Sequence, residues 1–551
     1  MANKIYGIDL GTTYSAIAHV DETGRPVIIK NKEGDNTTPS VVYFEDTGNI
    51  IVGKTAREES LVNSNQTVRF VKRAIGNDKW IYRYDDKDYS PAEISSFILK
   101  KLVQDAEQTI GEKIEDVVIT CPAYFGVDEI QITINAGEIA GLNVRTIIKE
   151  PVAAAYAYEK TKSNDSKVFL VYDLGGGTFD CTLIKVEPKK IEVICTGGDP
   201  KLGGKDWDDT IISFMNEKYQ EETNTDEEIE DPETIQELFE KAESAKRSLS
   251  SKERVTIIFN HDGIKVKAEL TRDEFEDRSS LHLEKTMSCI NAMLDKAREK
   301  EKNVIDFDEI LLVGGSVRMP MIENRLKSQF PDTKIHIFEP DEAVAKGAAY
   351  VGHKIFLEEE LEKIIEPAIQ RDETSSDIEK IRVDAINEVA KQHNISPLTL
   401  KQTIDKEISI VNSKSFGVIA TDNEIGEEVV YNLIIRNTKL PVETTQNFYT
   451  QEDNQENVLV EITESESYDT TTQKDYCTII GKSVLKSLPP GLKAGSPIQV
   501  TFRLDQEGRL DTKAFEPSNQ VEVSASIETQ SVLKGKELED AKSKCTGMTV
   551  S

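Results

Sequence analysis

The sequence predicts an α/β protein spanning residues 1–355, followed by an antiparallel β module, and three observations carry that expectation. From the start to about residue 355, apolar strands alternate with amphipathic helices, the pattern of sheets covered by helices. From about residue 411 the hydrophobic period switches to two, as in strands with one buried and one solvated face. A short Asp-Leu-Gly loop occurs twice, so the first part reads as a duplicated unit.

Taken in order, Val117–Thr120 and Phe169–Asp173 read as buried strands, and Pro91–Thr109 and Asp128–Ala140 as helices. Residues 221–243 are acidic, polar at first and then helical, and read as a loop and a solvated helix face. Residues 356–410 change character and read as a helical insert or linker. Leu357–Glu366 and Ile378–Val389 have helical spacing, and Ser396-Pro397 pairs an N-cap with proline at the first helical position. Residues 411–528 form the β module. Val500, Phe502 and Leu504 alternate with polar residues, Gln506-Glu507-Gly508 turns the chain, and Val521, Val523, Ala525 and Ile527 alternate again. The 23 residues after Glu528 suffice for a short helical tail, residues 529–551.

Composition narrows the function. The chain has 551 residues, 67 Lys+Arg against 99 Asp+Glu and a formal charge of −32. That length implies two or three domains, at roughly 150 residues each. With 38% hydrophobic and 30% charged residues the chain is globular. No apolar run approaches the ~18 residues of a membrane span, and the N-terminus lacks the apolar stretch of a secretory signal. Cytoplasmic residence and no membrane partner are expected. So acidic a chain repels nucleic acid, whose recognition needs clustered Lys and Arg. The six cysteines form no C-x-x-C pair and read as reduced, mostly buried thiols. The six histidines show no metal-ligand spacing. No Gly-x-Ser-x-Gly elbow supports a serine hydrolase.

The repeat carries the chemistry. Gly7-Ile-Asp-Leu-Gly-Thr-Thr13 recurs as Val171-Tyr-Asp-Leu-Gly-Gly-Gly-Thr178. In each, a strand delivers an Asp into a tight turn of Gly and Thr. Glycine lets backbone amides approach a polyphosphate, and Thr hydroxyls add donors. Asp9 and Asp173 are then placed to hold Mg²⁺ through water, since magnesium keeps much of its hydration shell. A third element, Ile310–Arg318, runs a strand into Gly314-Gly315 and is placed to lie against a base or sugar. Gly48–Thr55 formally matches a P-loop, but Asp46-Thr47-Gly48 reads as a hairpin turn and Ile50-Ile-Val as a strand, so the required strand–loop–helix context is absent.

Gly7–Ser15, Asp173–Asp180, Gly314–Arg318 and Pro340-Asp-Glu-Ala-Val-Ala together resemble the signatures of the DnaK-type, seventy-kilodalton heat-shock chaperone family. Asn437-Thr-Lys-Leu-Pro, Glu452-Asp-Asn-Gln and Ile498-Gln-Val-Thr-Phe resemble its peptide-binding module, and the likeness covers about 1–352 and 414–528. The resemblance implies an actin-like ATPase of two ribonuclease-H-like lobes, followed by an antiparallel β-sandwich. It implies a stress-response, protein-folding chaperone that hydrolyses ATP slowly with Mg²⁺ and K⁺, and binds extended hydrophobic polypeptide. J-domain co-chaperones and a nucleotide-exchange factor are the implied partners.

Residue by residue, Lys72, Glu150, Asp173, Thr178 and Asp180 match the family's catalytic positions, with either Asp180 or Glu150 placed to polarise the attacking water. Gly11, Thr12, Thr13, Tyr14, Gly175, Gly176, Gly177, Gly203 and Gly204 match its phosphate-side positions. Glu243, Lys246, Arg247, Ser250, Gly314, Gly315, Ser316, Arg318 and Asp341 match the adenosine side. Val418, Phe448, Val458 and Val460 match the peptide pocket. Without the resemblance, Lys72 reads as one half of a surface ion pair, Glu150 as a helix-cap carboxylate, the Glu243–Ser250 stretch as an amphipathic helix and Phe448 as sandwich core.

The sequence departs from the family at several points. The helical lid is not expected from the residues after 528. The linker reads Lys406-Glu-Ile-Ser-Ile-Val411 and leaves open whether a docked linker couples the domains. Thr146, Lys149 and Val152 alter the J-domain surface, and Ile130 replaces an arginine of interlobe communication, while Pro122 is kept. The segment from Lys72 to Pro122 is short for a bacterial member. Thr421 and Gln451 put polar side chains on the arch over the peptide. The alternative reading is a nucleotide-responsive scaffold for one dedicated protein; an actin-like filament or a small-molecule kinase is disfavoured by the β module.

Overall fold

The computed structural model describes residues 4–551 apart from 47, 161–165, 301–306, 370–374, 423–424, 487, 507, 519 and 526–531. Two sheets repeat one topology. The first runs Asn143–Lys149, Asp116–Cys121, Ile5–Asp9, Tyr14–Val20, Pro26–Ile28. The second runs Lys334–Ile337, Glu309–Val313, Lys167–Leu174, Phe179–Glu187, Lys190–Asp199. In each, the first strand in sequence opens an antiparallel meander on one side and takes two parallel strands on the other. The duplicated loops therefore leave the ends of equivalent central strands, which is where open α/β sheets bind ligands.

The helices anticipated at 91–109 and 128–140 are Pro91–Ile110 and Val127–Ile139. Ser90 accepts from the Glu93 amide and Glu93 returns to the Ser90 amide (2.8 Å), a capping box worth about 1 kcal/mol. The acidic stretch before 243 ends in the helix Pro232–Leu249, capped by Asp231. The P-loop match at 48–55 is a hairpin: Val42–Phe44 pairs with Asn49–Val52, and Asp46 Oδ1 accepts from the Gly48 and Asn49 amides at 2.8 and 2.9 Å. Thr47 itself lies outside the described residues.

Residues 356–410 do not stand apart from the ATPase. The helix Ala343–Ile369 runs through residue 355 without a break. Phe356, Leu357, Leu361, Ala385, Val389, Ala390 and Leu400 join Tyr156, Val186 and Ile191 in one buried cluster. Helices Ser375–Gln392 and Pro397–Ile404 complete the segment, and Ser396 caps the latter as its sequence indicates. The linker is docked: Glu407–Ser409 pairs parallel with Lys190–Glu192 as a sixth strand of the second sheet. Lys406 is buried, with its ammonium 3.1 Å from Glu159 and 2.7 Å from the Glu187 carbonyl.

Residues 415–525 form two antiparallel sheets packed face to face. One is ordered Thr471–Gln473, Glu428–Ile434, Ser415–Thr421, Asn457–Ser465, Cys477–Lys486; the other Val442–Tyr449, Pro497–Leu504, Leu510–Glu516, Val521–Ala525. Val500, Phe502 and Leu504 are buried between them. The anticipated positions Glu507 and Ile527 lie outside the described residues. The sandwich rests on the ATPase: Asn437 accepts from the Thr196 amide at 3.2 Å, Ser413 donates to the Phe125 carbonyl at 2.9 Å, and Val127 packs into the sandwich core.

Residues 532–551 are more than a loose tail. A helix, Gly535–Thr546, and a short strand, Thr549–Val550, pack on the first lobe. No disulfide links the cysteines of the described residues. No helix among them is long and apolar enough to cross a membrane.

Candidate nucleotide site

The two loops face one another across a cleft of about 540 Å³ between the sheets. They approach so closely that a Cβ on Gly176 would sit 1.9 Å from Thr13 Oγ1, and one on Gly177 2.4 Å from Thr12 Cγ2. Glycine is required here by space. Gly203 and Gly204 sit behind the second loop: the Gly204 amide donates to the Gly175 carbonyl at 2.9 Å, and a Gly203 Cβ would meet the Gly177 backbone at 2.5 Å. The Ser316 hydroxyl also donates to the Gly175 carbonyl, at 3.0 Å, tying the third loop to the second. Gly314, at φ +86, lies against Leu174 and the Asp173 carboxylate, a conformation and an approach that a side chain would block.

At the floor, Lys72 and Glu150 are both buried and meet at 2.5 Å. The ion-pair reading of Lys72 is thus half right: the pair exists, but inside the cleft. Glu150 is the first residue of the helix Glu150–Glu159 rather than its cap, which is Lys149, so its carboxylate lies in the first turn. Asp9 accepts from Thr120 Oγ1 at 3.2 Å, and the Asp180 carboxylate accepts from the Ala123 amide at 3.3 Å. Burial, reinforced by Glu150, pushes the carboxyls of Asp9 and Asp180 up to about 7, and raises Asp173 well above its ordinary value. For Lys72, burial favours the neutral amine, but Glu150 and Asp9 outweigh it and raise its pKa.

This floor fits a hydrated divalent cation. Four carboxylates surround one ammonium, and Asp180 Oδ1 is buried without a partner. Among the described residues no three His, Cys, Asp or Glu converge to hold an ion directly. Magnesium held by one or two carboxylates and several waters, the ordinary protein mode, suits that geometry.

The far end of the cleft is a slot between the end of the helix Pro232–Leu249 and the third loop. Lys246, Arg247 and Ser250 line it with Gly315, Arg318 and Asp341. Lys246 is fixed by Asp208 at 2.8 Å and by the Gly204 carbonyl at 2.7 Å. Arg318 pairs with Asp341 at 2.6 Å. Arg57 and Tyr14 of the first lobe reach Glu243 of the second at 2.6 and 3.2 Å. For Glu243, burial is opposed and overcome by Arg57 and Arg247, which hold its carboxyl below the usual range.

The cleft gathers Asp9, Gly11 to Tyr14, Lys72, Glu150, Asp173, Gly175, Gly176, Thr178, Glu243 and Gly314 to Ser316 along with the slot residues. Gly177, Asp180, Gly203 and Gly204 stand behind its wall. Sequence reasoning missed Phe70, Phe239, Lys205 and Asp208. Phe70 adopts φ 58 and approaches Phe239 across the cleft at 6.4 Å. A bulky residue in the left-handed region leaves no trace in a sequence pattern.

In the sandwich, Val418 and Val460 are buried in the core, while Phe448 and Val458 are half-buried against the same cluster. Phe448 makes an edge contact with Tyr431 at 6.1 Å. The polar arch closes on itself, with Gln451 Nε2 donating to Thr421 Oγ1 at 2.6 Å.

Comparison with known proteins agrees with this architecture. The family model described as Hsp70 protein matches residues 5–82, 78–365 and 405–549. The interval it leaves between residues 365 and 405 holds the helices Ser375–Gln392 and Pro397–Ile404. The chaperone protein DnaK of Thermosipho africanus (strain TCF52B) is 36% identical over 523 residues, 93% of this chain and 78% of that protein. The chaperone protein DnaK of Thermosipho melanesiensis is 36% identical over 516 residues, with the same coverage. A duplicated sheet clasping one cleft, a β-sandwich behind it and these matches along nearly the whole sequence place the chain in the Hsp70 family of ATP-binding chaperones.

Proposed function

We propose that the protein binds ATP with Mg²⁺ in this cleft, hydrolyses it slowly, and uses it to govern the hold of the sandwich on extended apolar polypeptide. The observation that carries this reading is the pair of Asp-Gly-Thr loops meeting face to face above a buried Lys72–Glu150 pair. Phosphoryl transfer to water needs positioning and charge neutralisation rather than covalent chemistry. The two loops orient the phosphate chain, and the Lys72 ammonium offsets charge that builds on the transferred group. Asp9 and Asp173 are the carboxylates that would hold the metal's waters. When bound, magnesium supplies charge neutralisation for the phosphates. Of the two carboxylates considered for the water, Glu150 lines the cleft, whereas Asp180 sits behind it and steadies the Ala123 backbone.

The docked linker favours coupling over the static scaffold, because the segment between ATPase and sandwich is itself a strand of the second lobe. Cytoplasmic residence, a J-domain co-chaperone and an exchange factor remain part of this proposal, with the half-buried Thr146 and Lys149 altering the J-domain surface, whereas Val152 and Ile130 are buried; K⁺ belongs to it as a second cation. Two measurements test it together: Mg-dependent ATP turnover, and peptide affinity with ATP against ADP. Lys72→Ala and Asp173→Ala should abolish turnover. Unchanged turnover in both, or peptide affinity indifferent to nucleotide, refutes the reading.

A further inference from the structure

Most cations around the cleft are engaged by carboxylates. Lys72 meets Glu150 at 2.5 Å, Lys205 meets Asp209 at 2.6 Å and Lys246 meets Asp208 at 2.8 Å. Arg247 meets Glu243 at 2.9 Å and Arg318 meets Asp341 at 2.6 Å. Arg69, which also lines the cleft, keeps a donor in reserve. Its side chain is 10% exposed, and its Nε is shielded from solvent without a hydrogen-bond partner. A buried donor left unpaired is costly, most of all on a charged group, so its presence beside a binding cleft calls for a ligand.

The local backbone places Arg69 beside the first phosphate loop. Thr67 and Val68 pair with the strand Val42–Phe44. The chain then turns at Phe70, whose φ of 58 and ψ of 26 lie in the left-handed region that bulky residues rarely adopt. The turn sends Lys72 to the floor and leaves Arg69 higher on the wall. There a recess of about 10 Å³, room for one water molecule, is lined by Arg69 with Thr12, Thr13, Ser40, Arg57 and Phe70. The rest of the guanidinium is held from the opposite lobe. Nη1 donates to Gln236 Oε1 at 3.0 Å and lies 3.0 Å from Glu240. The group also lies 5.3 Å from the centre of the Phe70 ring and 6.0 Å from that of Phe239. Two acceptors and two rings thus fix the planar fork, and one N–H of it remains unused.

We propose that Arg69 binds the terminal phosphate of the nucleotide through this Nε–H, so that the cleft favours a nucleoside triphosphate over the diphosphate. The inference rests on the proposed function in taking the cleft as an ATP site. A guanidinium matches phosphate oxygens in geometry, and a donor fixed before the ligand arrives needs no ordering on binding. Because Gln236, Phe239 and Glu240 belong to the second lobe, the same contact fastens the terminal phosphate to both lobes at once.

The test compares, by calorimetry on the full-length protein with Mg²⁺, the affinity for ADP and for a non-hydrolysable ATP analogue. Arg69→Met, similar in length and able to pack on the two rings, should weaken the triphosphate about tenfold, the worth of one hydrogen bond to a charged group, and ADP less than about twofold. Retained ADP binding certifies the fold. Should the Met variant melt below the assay temperature, Arg69→Lys replaces it, with a smaller loss confined to the triphosphate. In Arg69→Ala, added guanidinium ion should restore triphosphate affinity, whereas in Arg69→Met the side chain fills the place and no rescue occurs. Equal losses for both nucleotides overturn the inference and mark a water held in the recess; no loss for either overturns it as well. A parent that binds neither nucleotide overturns the proposed function and this inference with it. A parent that binds both, with its preference unchanged in the variants, overturns the inference alone.

Discussion

Where the sandwich meets the ATPase, Glu464 faces other acids. Its side chain is half-buried close to Gly126, and its Oε2 is shielded from solvent without a hydrogen-bond partner. Glu129 and Asp128 face it from the ATPase, and Lys414 and Glu466 from the sandwich. Burial and then Glu129 push its carboxyl from 4.5 to about 8, against the pull of Lys414. A carboxyl raised on docking disfavours the docked state once it must ionise. The interaction is fully available below pH 4.5 and is lost progressively as pH rises to about 8. At pH 7 the gap of 2.5 units from 4.5 corresponds to about 3 kcal/mol, an upper bound because water entry lowers the cost. Docking of the sandwich should therefore weaken steadily between about pH 5 and 8 and level off above that. Glu464→Gln, isosteric and uncharged, should remove most of that slope and dock more tightly at pH 8. The assay is energy transfer between dyes on the sandwich and the first lobe, titrated with pH in the ATP state. A parent chain with a flat profile, or a Gln variant that keeps the slope, refutes the reasoning.

Three further outcomes follow from the cleft. Gly176→Ala drives a methyl into Thr13 and should weaken ATP at least tenfold by calorimetry, with Thr13→Ala partly restoring affinity in the double variant. Arg57→Ala cuts the cross-lobe pairs to Glu240 (2.7 Å) and Glu243 (2.6 Å), and should speed ADP release in stopped-flow chase; an unchanged rate would deny those pairs a role in closure. Because the carboxyls of Asp9 and Asp180 lie near 7, Mg-ATP binding at pH 7 should release protons, seen as buffer-dependent heat, and chelation of Mg²⁺ should abolish that release.

The chemistry-bearing parts of the protein were legible because they are local. Each Asp-Gly-Thr loop needs a few contiguous residues whose identities follow from space and charge, and Gly176 and Gly177 show that space directly. The alternation of Val500, Phe502 and Leu504 disclosed the sandwich face for the same reason. What stayed hidden depends on partners far away in sequence. Lys406 reads as an exposed lysine until Glu159 and the Glu187 carbonyl surround it. Likewise Phe239 and Asp208 look like ordinary helix residues until the lobes close on them. Residues 532–551 show helical spacing at most, and nothing in them names the edge strand Asn49–Val52 as their seat.

At two points the helix Ala343–Ile369 meets the rest of the ATPase without any side chain between. A Cβ at Gly347 would lie 1.9 Å from the Ala153 carbonyl, and one at Gly7 would lie 2.1 Å from the Ala349 amide. Backbone presses directly on backbone at both points. Side-chain contacts can absorb a displacement by changing rotamer, but these have no such freedom. The crossing therefore behaves as a stiff bearing, at which a small rotation on one side has to appear undiminished on the other.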